Sequence, residues 1–231
     1  MSISIKYLGH SSFIITIDKK KILTDPYFGN TPLGRLKRLV PCAHDIDDIP
    51  KIDTILISHE HLDCFDKDAI NILSKKYEPK IIAHHSILKE LDGNTHNKIS
   101  IIEYESKDIN NVNFTAYPAH HPAAFYPLSF LIKNKKGKSV YFAGDTHMTK
   151  DHDIIKPTIA LIPIGGKRTM DLGTAIRVMK KMRPNYVIPM HYNTFEDILK
   201  NPNELIYRFG KNYTDVNTVI LAPGKTFRYK V

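Results

Sequence analysis

The chain has 231 residues, of which 42% are hydrophobic and 25% charged, a balance typical of a folded protein with a sizeable core rather than a disordered one. Its 33 basic and 24 acidic residues give a net charge of +9, which suits a lysine-rich surface but would also attract phosphate esters, nucleic acid or anionic membranes. No apolar run approaches the length of a membrane-spanning helix, so we expect no transmembrane segment.

The cysteine content and the start of the chain bear on the compartment. Cys42 and Cys64 are the only cysteines, too few for a disulfide framework. The first eight residues lack the basic and then apolar pattern of a signal peptide. We therefore expect a cytoplasmic protein. Because no stretch in the middle has the composition of a linker, we predict one domain over residues 1–231.

The first quarter of the chain predicts strands followed by a long loop. Apolar residues within 3–7, 13–17 and 21–23 predict three short strands arranged as an antiparallel meander. Residues 27–50 show no period, and we expect an irregular loop that forms one wall of a substrate cleft. This loop carries a basic patch made of Arg35, Lys37 and Arg38.

Strands and helices then alternate along the chain. The apolar run 54–57 predicts a buried strand, and Asp66 is expected to cap a helix that ends before Pro79. A hairpin is predicted around Lys136-Gly137, and the polar residues 106–111 read as a connection between strands. The other expected strands are 81–83, 99–102, 112–117, 159–162, 186–189, 219–221 and 226–229. The other expected helices are 86–91, 174–182, 195–200 and 203–212. This order favours two sheets packed back to back with helices outside, an α/β fold.

Metal-binding side chains cluster directly after the buried strand. His59, His61 and Asp63 follow the apolar run, and histidines separated by one residue turn to the same side of an extended chain. Imidazole is the commonest protein ligand for metals, and a carboxylate adds an oxygen donor. The alternative is a solvated polar loop. The spacing is not HExxH, so a protease of the zincin type is not indicated.

Other predicted strands end in the same way. His120-His121, Asp145 and His191 each follow an apolar strand, and Asp25 before Pro26 is a weaker case. One such histidine is commonplace, but several strands that deliver ligands to the same end indicate a shared polynuclear metal site. His10 lies in the loop between the first two strands and could reach a site from there, although a single loop histidine is more often incidental.

The motif His59-Glu60-His61-Leu62-Asp63-Cys64 resembles the HxHxDH motif of the metallo-β-lactamase superfamily. The resemblance continues through His121, the Gly-Asp-Thr at Asp145, and His191, in the same order over nearly the whole chain. The segments GHSSF, LTDPYF and IGGKRTM resemble the branch of ascorbate-6-phosphate lactonases, and LKRLVPC with the histidine motif resembles N-acylphosphatidylethanolamine phospholipase D. The resemblance implies a four-layer αββα sandwich and a metal-dependent hydrolase.

The resemblance also implies a ligand set. In the superfamily pattern, one metal is bound by His59, His61 and His121, a second by Asp63 and His191, and Asp145 bridges the two. His120 competes with His121, because neighbours on a strand face opposite ways. The family pattern, with the ligand fourth from Pro118 in Pro-Ala-His-His, favours His121.

Cys64 departs from the pattern, since it stands where the family has a histidine of the second site. A thiolate is a good zinc ligand, so Cys64 is expected either to bind the second metal or to fill space as a small buried residue that leaves this site weak or empty. His147 compensates for it in a further alternative, although a loop histidine there is better explained as a substrate contact or as incidental.

The resulting prediction is a hydrolase that uses a metal-activated water on an ester, lactone or phosphodiester, with His59, His61 and Asp63 as the catalytic core. The ligand types suit one or two Zn²⁺ ions, with Mn²⁺ or Fe²⁺ also compatible. A small anionic or phosphorylated substrate is the expected partner. Whether the chain forms a homo-oligomer is left open.

Two other functions fit parts of the sequence. The net charge and the basic patch suit a nuclease of the same superfamily, but no nucleic-acid module or aromatic stacking motif is visible, so nucleic acid is not the expected partner. A non-catalytic metal or ligand sensor, whose second site was lost with Cys64, is the alternative from another class.

Overall fold

The computed structural model describes residues 2–29, 37–93, 95–210 and 215–230. Arg35 of the predicted basic patch and the last two residues of the helix predicted over 203–212 lie outside them. The strands, in chain order, are β1 Ser2–Gly9, β2 Ser12–Ile17, β3 Lys20–Thr24, β4 Thr54–Leu56, β5 Lys80–Ala83, β6 Lys98–Ser100, β7 Ser106–Ile109, β8 Val112–Pro118, β9 Leu128–Lys133, β10 Ser139–Phe142, β11 Ile159–Pro163, β12 Tyr186–Met190, β13 Asn217–Thr218 and β14 Thr226–Lys230. The α-helices are α1 Lys67–Tyr77, α2 His85–Leu88, α3 Leu172–Met182 and α4 Asn203–Gly210.

These strands form two mixed sheets of seven strands each. The first has the order β14-β1-β2-β3-β4-β5-β6, and the second has the order β13-β12-β11-β10-β9-β8-β7. Strands β1 to β3 pair antiparallel, as the predicted meander requires, and β3 to β6 continue in parallel. In the second sheet, β7 to β10 are antiparallel and β10 to β13 are parallel.

Both faces of the first sheet are covered, which explains its continuous apolar strands. Leu56 of β4 and Ile82 of β5 belong to the core between the sheets, together with Phe114 and Phe130 of the second sheet. Their neighbours along the strands alternate to the other face and pack with α1. Helix α3 contributes Val178, Met179 and other apolar residues to the core of the second sheet. The predicted sandwich, two sheets back to back with helices outside, is confirmed.

Helix α1 begins and ends as its sequence predicts. The Asp66 carboxylate accepts a hydrogen bond from the Ala69 backbone N–H at 3.1 Å and so caps the first turn. Glu78 ends the helix in a left-handed conformation, and Pro79 follows. None of the helices in the described part of the chain is long and apolar enough to cross a membrane.

Three predictions of secondary structure are wrong, the first being the helix over 195–200, where only Glu196–Ile198 form a single 3₁₀ turn. Residues 106–111 are not a connection, because 106–109 form β7 and pair with β8 through a turn in which Asn110 and Asn111 both have positive φ. The polar composition reflects an edge strand with only Ile109 buried. The strand predicted over 219–221 is displaced to β13, where Asn217 and Thr218 pair with β12.

Loops from the two sheets are tied together at one edge of the sandwich. Strands β1, β4, β8, β10 and β12 each end shortly before a histidine or aspartate at this edge. The Ser58 carbonyl accepts a hydrogen bond from the Leu128 N–H at 3.0 Å, and the His10 carbonyl accepts one from the His191 N–H at 2.9 Å. Backbone hydrogen bonds therefore hold side chains from distant parts of the chain in one place.

Candidate metal centre

Three histidine rings converge at this edge. The ring centroids of His59, His61 and His121 are 4.7 Å apart in every pair, and one nitrogen from each ring lies within 4.8 Å of the others. His59 is completely buried and His121 nearly so. We call these three residues the histidine cluster.

Hydrogen bonds fix the tautomers of two rings in this cluster. His121 Nδ1 donates to the Arg168 carbonyl at 3.0 Å, and His61 Nε2 donates to the Ala123 carbonyl at 3.3 Å. A carbonyl oxygen only accepts, so the remaining nitrogens, His121 Nε2 and His61 Nδ1, carry lone pairs in the neutral rings. These two nitrogens lie 2.9 Å apart. Two facing lone pairs repel each other unless a cation or a proton lies between them.

The third ring is oriented by a buried relay. The Ser58 hydroxyl donates to Asp25 Oδ2 at 2.6 Å and accepts from His59 Nδ1 at 2.9 Å, while the Ser58 N–H donates to Asp25 Oδ1 at 2.7 Å. His59 Nε2 is buried and has no hydrogen-bond partner among the described residues. Burial lowers the pKa of His59 to about 4, so the ring is neutral and offers this nitrogen to the cluster.

A second group of ligand atoms lies beside the first. His10, Asp63 and His191 place one ligand atom each within 4.8 Å of the others, and we call them the mixed cluster. His10 Nδ1 lies 3.0 Å from the Thr194 hydroxyl, and His10 Nε2 lies 3.3 Å from Asp63 Oδ2. Burial lowers the pKa of His10, which favours the neutral imidazole that can bind a metal. A bound cation would be contacted by both the His10 imidazole and the Asp63 carboxylate.

Asp145 lies between the two clusters. Its Oδ2 is 2.9 Å from His191 Nε2 in the mixed cluster and 3.9 Å from His59 Nε2 in the histidine cluster. Burial alone would raise the pKa of Asp145, but the neighbouring His191 holds it well below its usual range. Burial likewise acts to lower the pKa of His191, and Asp145 outweighs it and raises that pKa to about 9. A proton on His191 and a metal ion would therefore compete for the same nitrogen.

Cys64 lies behind this centre. It is completely buried, and its sulfur groups with Asp25 and His59 rather than joining the mixed cluster. Burial raises the pKa of the Cys64 thiol well above its usual value, and the nearby carboxylates of Asp145 and Asp25 raise it further. The role of Cys64 as a metal ligand stays a prediction.

The other predicted residues divide between the centre and its surroundings. His121, not His120, turns into the histidine cluster, while the ring of the exposed His120 lies 5.5 Å from that of His147. The sequence allowed that His10 could reach a site from its loop but favoured an incidental histidine, and Gly9 and His10 both have the positive φ angles of a tight turn. Sequence reasoning missed the carbonyl groups of Ala123 and Arg168 as hydrogen-bond acceptors.

The two clusters open onto a cleft of about 820 Å³. Its polar rim includes Glu60, whose Oε1 accepts a hydrogen bond from the Phe125 N–H at 2.7 Å. Its remaining walls are lined by Leu62, Gly166, Lys167, Arg168, Phe195, Asp197 and Ile198. A small substrate therefore has room beside the facing nitrogens.

The chain is similar to known metal-dependent hydrolases along nearly its whole length. A family model described as the beta-lactamase superfamily domain matches residues 4–191. A UPF0173 metal-dependent hydrolase of Methanosphaera stadtmanae is 36% identical, with 97% of this chain and 98% of that protein aligned. A second one, from Hyperthermus butylicus, is 31% identical over 97% and 99% of the two chains. The solved structure of Igni18, a metallo hydrolase from Ignicoccus hospitalis, superposes with a TM-score of 0.83 at 28% identity and covers both chains completely.

Proposed function

Because the chain belongs to the metallo-β-lactamase superfamily and to its UPF0173 metal-dependent hydrolases, we propose that it hydrolyses a small ester, lactone or phosphodiester with two divalent cations held by the histidine and mixed clusters. The fold is the metallo-β-lactamase fold, and the chain is a metal-dependent hydrolase. The substrate class and the identity of the metal are the parts proposed here. The resemblance to lactonases and to a phospholipase D supports lactones and phosphodiesters as first candidates.

The observation that carries the proposal is the pair of facing nitrogens, His121 Nε2 and His61 Nδ1, at 2.9 Å. The Arg168 and Ala123 carbonyls hold both rings in the tautomer that turns a lone pair inward. His59 adds a third such nitrogen, which is buried and has no partner among the described residues. Three neutral imidazoles around one point suit Zn²⁺, with Mn²⁺ and Fe²⁺ as alternatives.

The second cation would be held by His10, Asp63 and His191, and Asp145 would reach both positions. A divalent cation in such a site lowers the pKa of water and polarises a carbonyl or phosphoryl oxygen. The chain's own part is to orient the ligands: Ser58 and Asp25 fix His59, Thr194 fixes His10, and Ser11 lies 3.4 Å from Asp145. We place His10, and not Cys64, in the second position, because His10 shares the cluster with Asp63 and His191.

Chelation followed by defined reloading tests the proposal. Zinc-loaded protein is expected to hydrolyse at least one of three probes: a 4-nitrophenyl ester, a γ-lactone or bis(4-nitrophenyl) phosphate. Exhaustive chelation should abolish this activity, and added Zn²⁺, Mn²⁺ or Fe²⁺ should restore it. His121→Ala should lose it, while His120→Ala, which alters the exposed neighbour, should retain it. Full activity in chelated protein, or equal losses in the two variants, would contradict the proposal.

A further inference from the structure

We propose that Arg168 forms an anion subsite, so that the preferred substrate carries a carboxylate or phosphate group at a distance from the bond that is hydrolysed. This inference rests on the proposed function, because it names the substrate class of the same cleft. Arg168 lies on the loop between β11 and α3 and lines the cleft beside His121.

The loop that carries Arg168 is fixed at both ends. The Gly166 N–H donates to the Met170 carbonyl at 3.0 Å, and the Thr169 N–H and hydroxyl both donate to the Gly166 carbonyl at 3.2 Å. The Met170 N–H donates to the Thr146 carbonyl at 3.0 Å, next to Asp145. Thr169 and Met170 are buried, so the short loop is anchored to the metal centre and only its tip is exposed.

The tip consists of two basic residues, Lys167 and Arg168, both exposed. Lys167 has a φ of +63°, a conformation rarely adopted by residues with a side chain, and its ammonium group is 3.9 Å from the Asp197 carboxylate. The Arg168 guanidinium has no hydrogen-bond or ion-pair partner within the described ranges. A rigid loop therefore presents an uncompensated positive charge to the cleft.

The backbone of Arg168 places the start of its side chain close to the site of reaction. Its carbonyl accepts the hydrogen bond from His121 Nδ1 at 3.0 Å. The Arg168 side chain therefore begins at a residue that directly contacts a ring of the histidine cluster. A guanidinium group binds carboxylate or phosphate through two parallel hydrogen bonds, which gives orientation as well as attraction. A substrate with its reacting bond at the clusters and an anionic group at Arg168 would contact both.

Binding of non-reacting anions tests this subsite without requiring turnover. Calorimetric titration would compare dicarboxylates from succinate to suberate with monocarboxylates of equal chain length, and a second arm would use phosphonocarboxylates. The titrations would be made on the zinc-loaded protein and repeated without added zinc. The variant is Arg168→Gln, and the matched control is Arg177→Gln, which removes the same charge from the exposed face of α3.

We expect one chain length in at least one arm to bind the wild type about tenfold more tightly than its monoanionic counterpart. Arg168→Gln should abolish this advantage, Arg177→Gln should keep it, and the arm with the larger loss identifies the anion. Equal affinities for mono- and dianions in the wild type, or an advantage that survives in Arg168→Gln, would overturn the proposal. A protein that binds no zinc would instead contradict the proposed function. The Arg168 subsite would still be tested in that case, because the variants are also compared without zinc.

Discussion

Gly144 packs directly against Ser58. A Cβ atom at Gly144 would lie 2.7 Å from Ser58 Cβ and 2.9 Å from its hydroxyl, and Gly144 has a φ of +56°. Ser58 connects Asp25 to His59, and Gly144 immediately precedes Asp145. The contact therefore joins the loop of the histidine motif to the loop of the bridging carboxylate, and only glycine fits there.

Gly144→Ala is expected to destabilise the fold and to weaken metal binding, because the added methyl group must push Ser58 away from His59. The matched control is Gly137→Ala, since Gly137 has a φ of +79° but has no atom within 4 Å of an added Cβ. The control should cost about 1 kcal/mol for the left-handed backbone, and Gly144→Ala about 1–3 kcal/mol more for overpacking. Chemical denaturation measures both, and equal losses would show that the contact with Ser58 is unimportant.

Glu60 is expected to position His61 through the turn at residues 123–125. His61 Nε2 donates to the Ala123 carbonyl, and the Phe125 N–H donates to Glu60 Oε1, so the two segments exchange a pair of hydrogen bonds. Glu60→Ala should weaken zinc affinity about tenfold, as is usual when a partner of a ligand is lost. Glu60→Gln keeps the acceptor oxygen and should retain most of the zinc affinity of the wild type. Competition with a zinc indicator measures the zinc affinity of each variant. Equal affinities of Glu60→Ala and Glu60→Gln would refute the role of Glu60 in positioning His61.

His10 and Cys64 are expected to differ in their effect on the second metal. His10→Ala should reduce the bound zinc from two equivalents to one, because it removes a nitrogen of the mixed cluster. Cys64→Ala should keep both equivalents. Cobalt-substituted wild type should lack the thiolate-to-metal charge-transfer absorption of a cysteine ligand. If that absorption appears and vanishes in Cys64→Ala, the thiol is a ligand after all.

His152 is expected to make the fold less stable in acid. It is completely buried and its Nδ1 accepts a hydrogen bond from the Thr149 N–H at 2.9 Å. Burial lowers its pKa, so the unfolded chain binds a proton at a higher pH than the folded protein does. The free energy of unfolding should therefore fall as the pH drops below about 6.5 and level off below the folded pKa.

The contribution of His152 is separated from that of the other histidines by His152→Gln, which cannot titrate. Urea denaturation at constant zinc concentration should show a smaller loss of stability between about pH 7.5 and pH 5.5 in the variant. Parallel pH profiles for the two proteins would contradict the assignment.

Local patterns predicted much of the fold. The meander, α1 with its Asp66 cap, and the strand before His59 each follow from periodicity and capping residues over a few positions. Edge strand β7 was missed because three of its four residues are polar and its partner β8 defines it. Alternating apolar residues indicate a strand with one buried face. Strand β7 lies at the edge of its sheet and buries only Ile109, so this alternation is missing.

The candidate site was predictable where its residues share a motif or directly follow an apolar strand. His59, His61 and Asp63 follow one strand, whereas His10 meets Asp63 only because the two loops fold against each other. The tight turn at Gly9-His10 was the one local signal. The placement of Cys64 depends on a turn in which the Cys64 and Phe65 N–H groups both donate to the His61 carbonyl. Spacing in the sequence does not specify such a turn.

Elemental analysis of natively purified protein tests the central claim most directly. The arrangement of the histidine and mixed clusters predicts two equivalents of divalent metal per chain in the wild type, one in Asp63→Ala, and fewer than one in the triple variant His59→Ala/His61→Ala/His121→Ala. A folded wild-type protein that retains no metal, both as purified and after incubation with Zn²⁺, would contradict it.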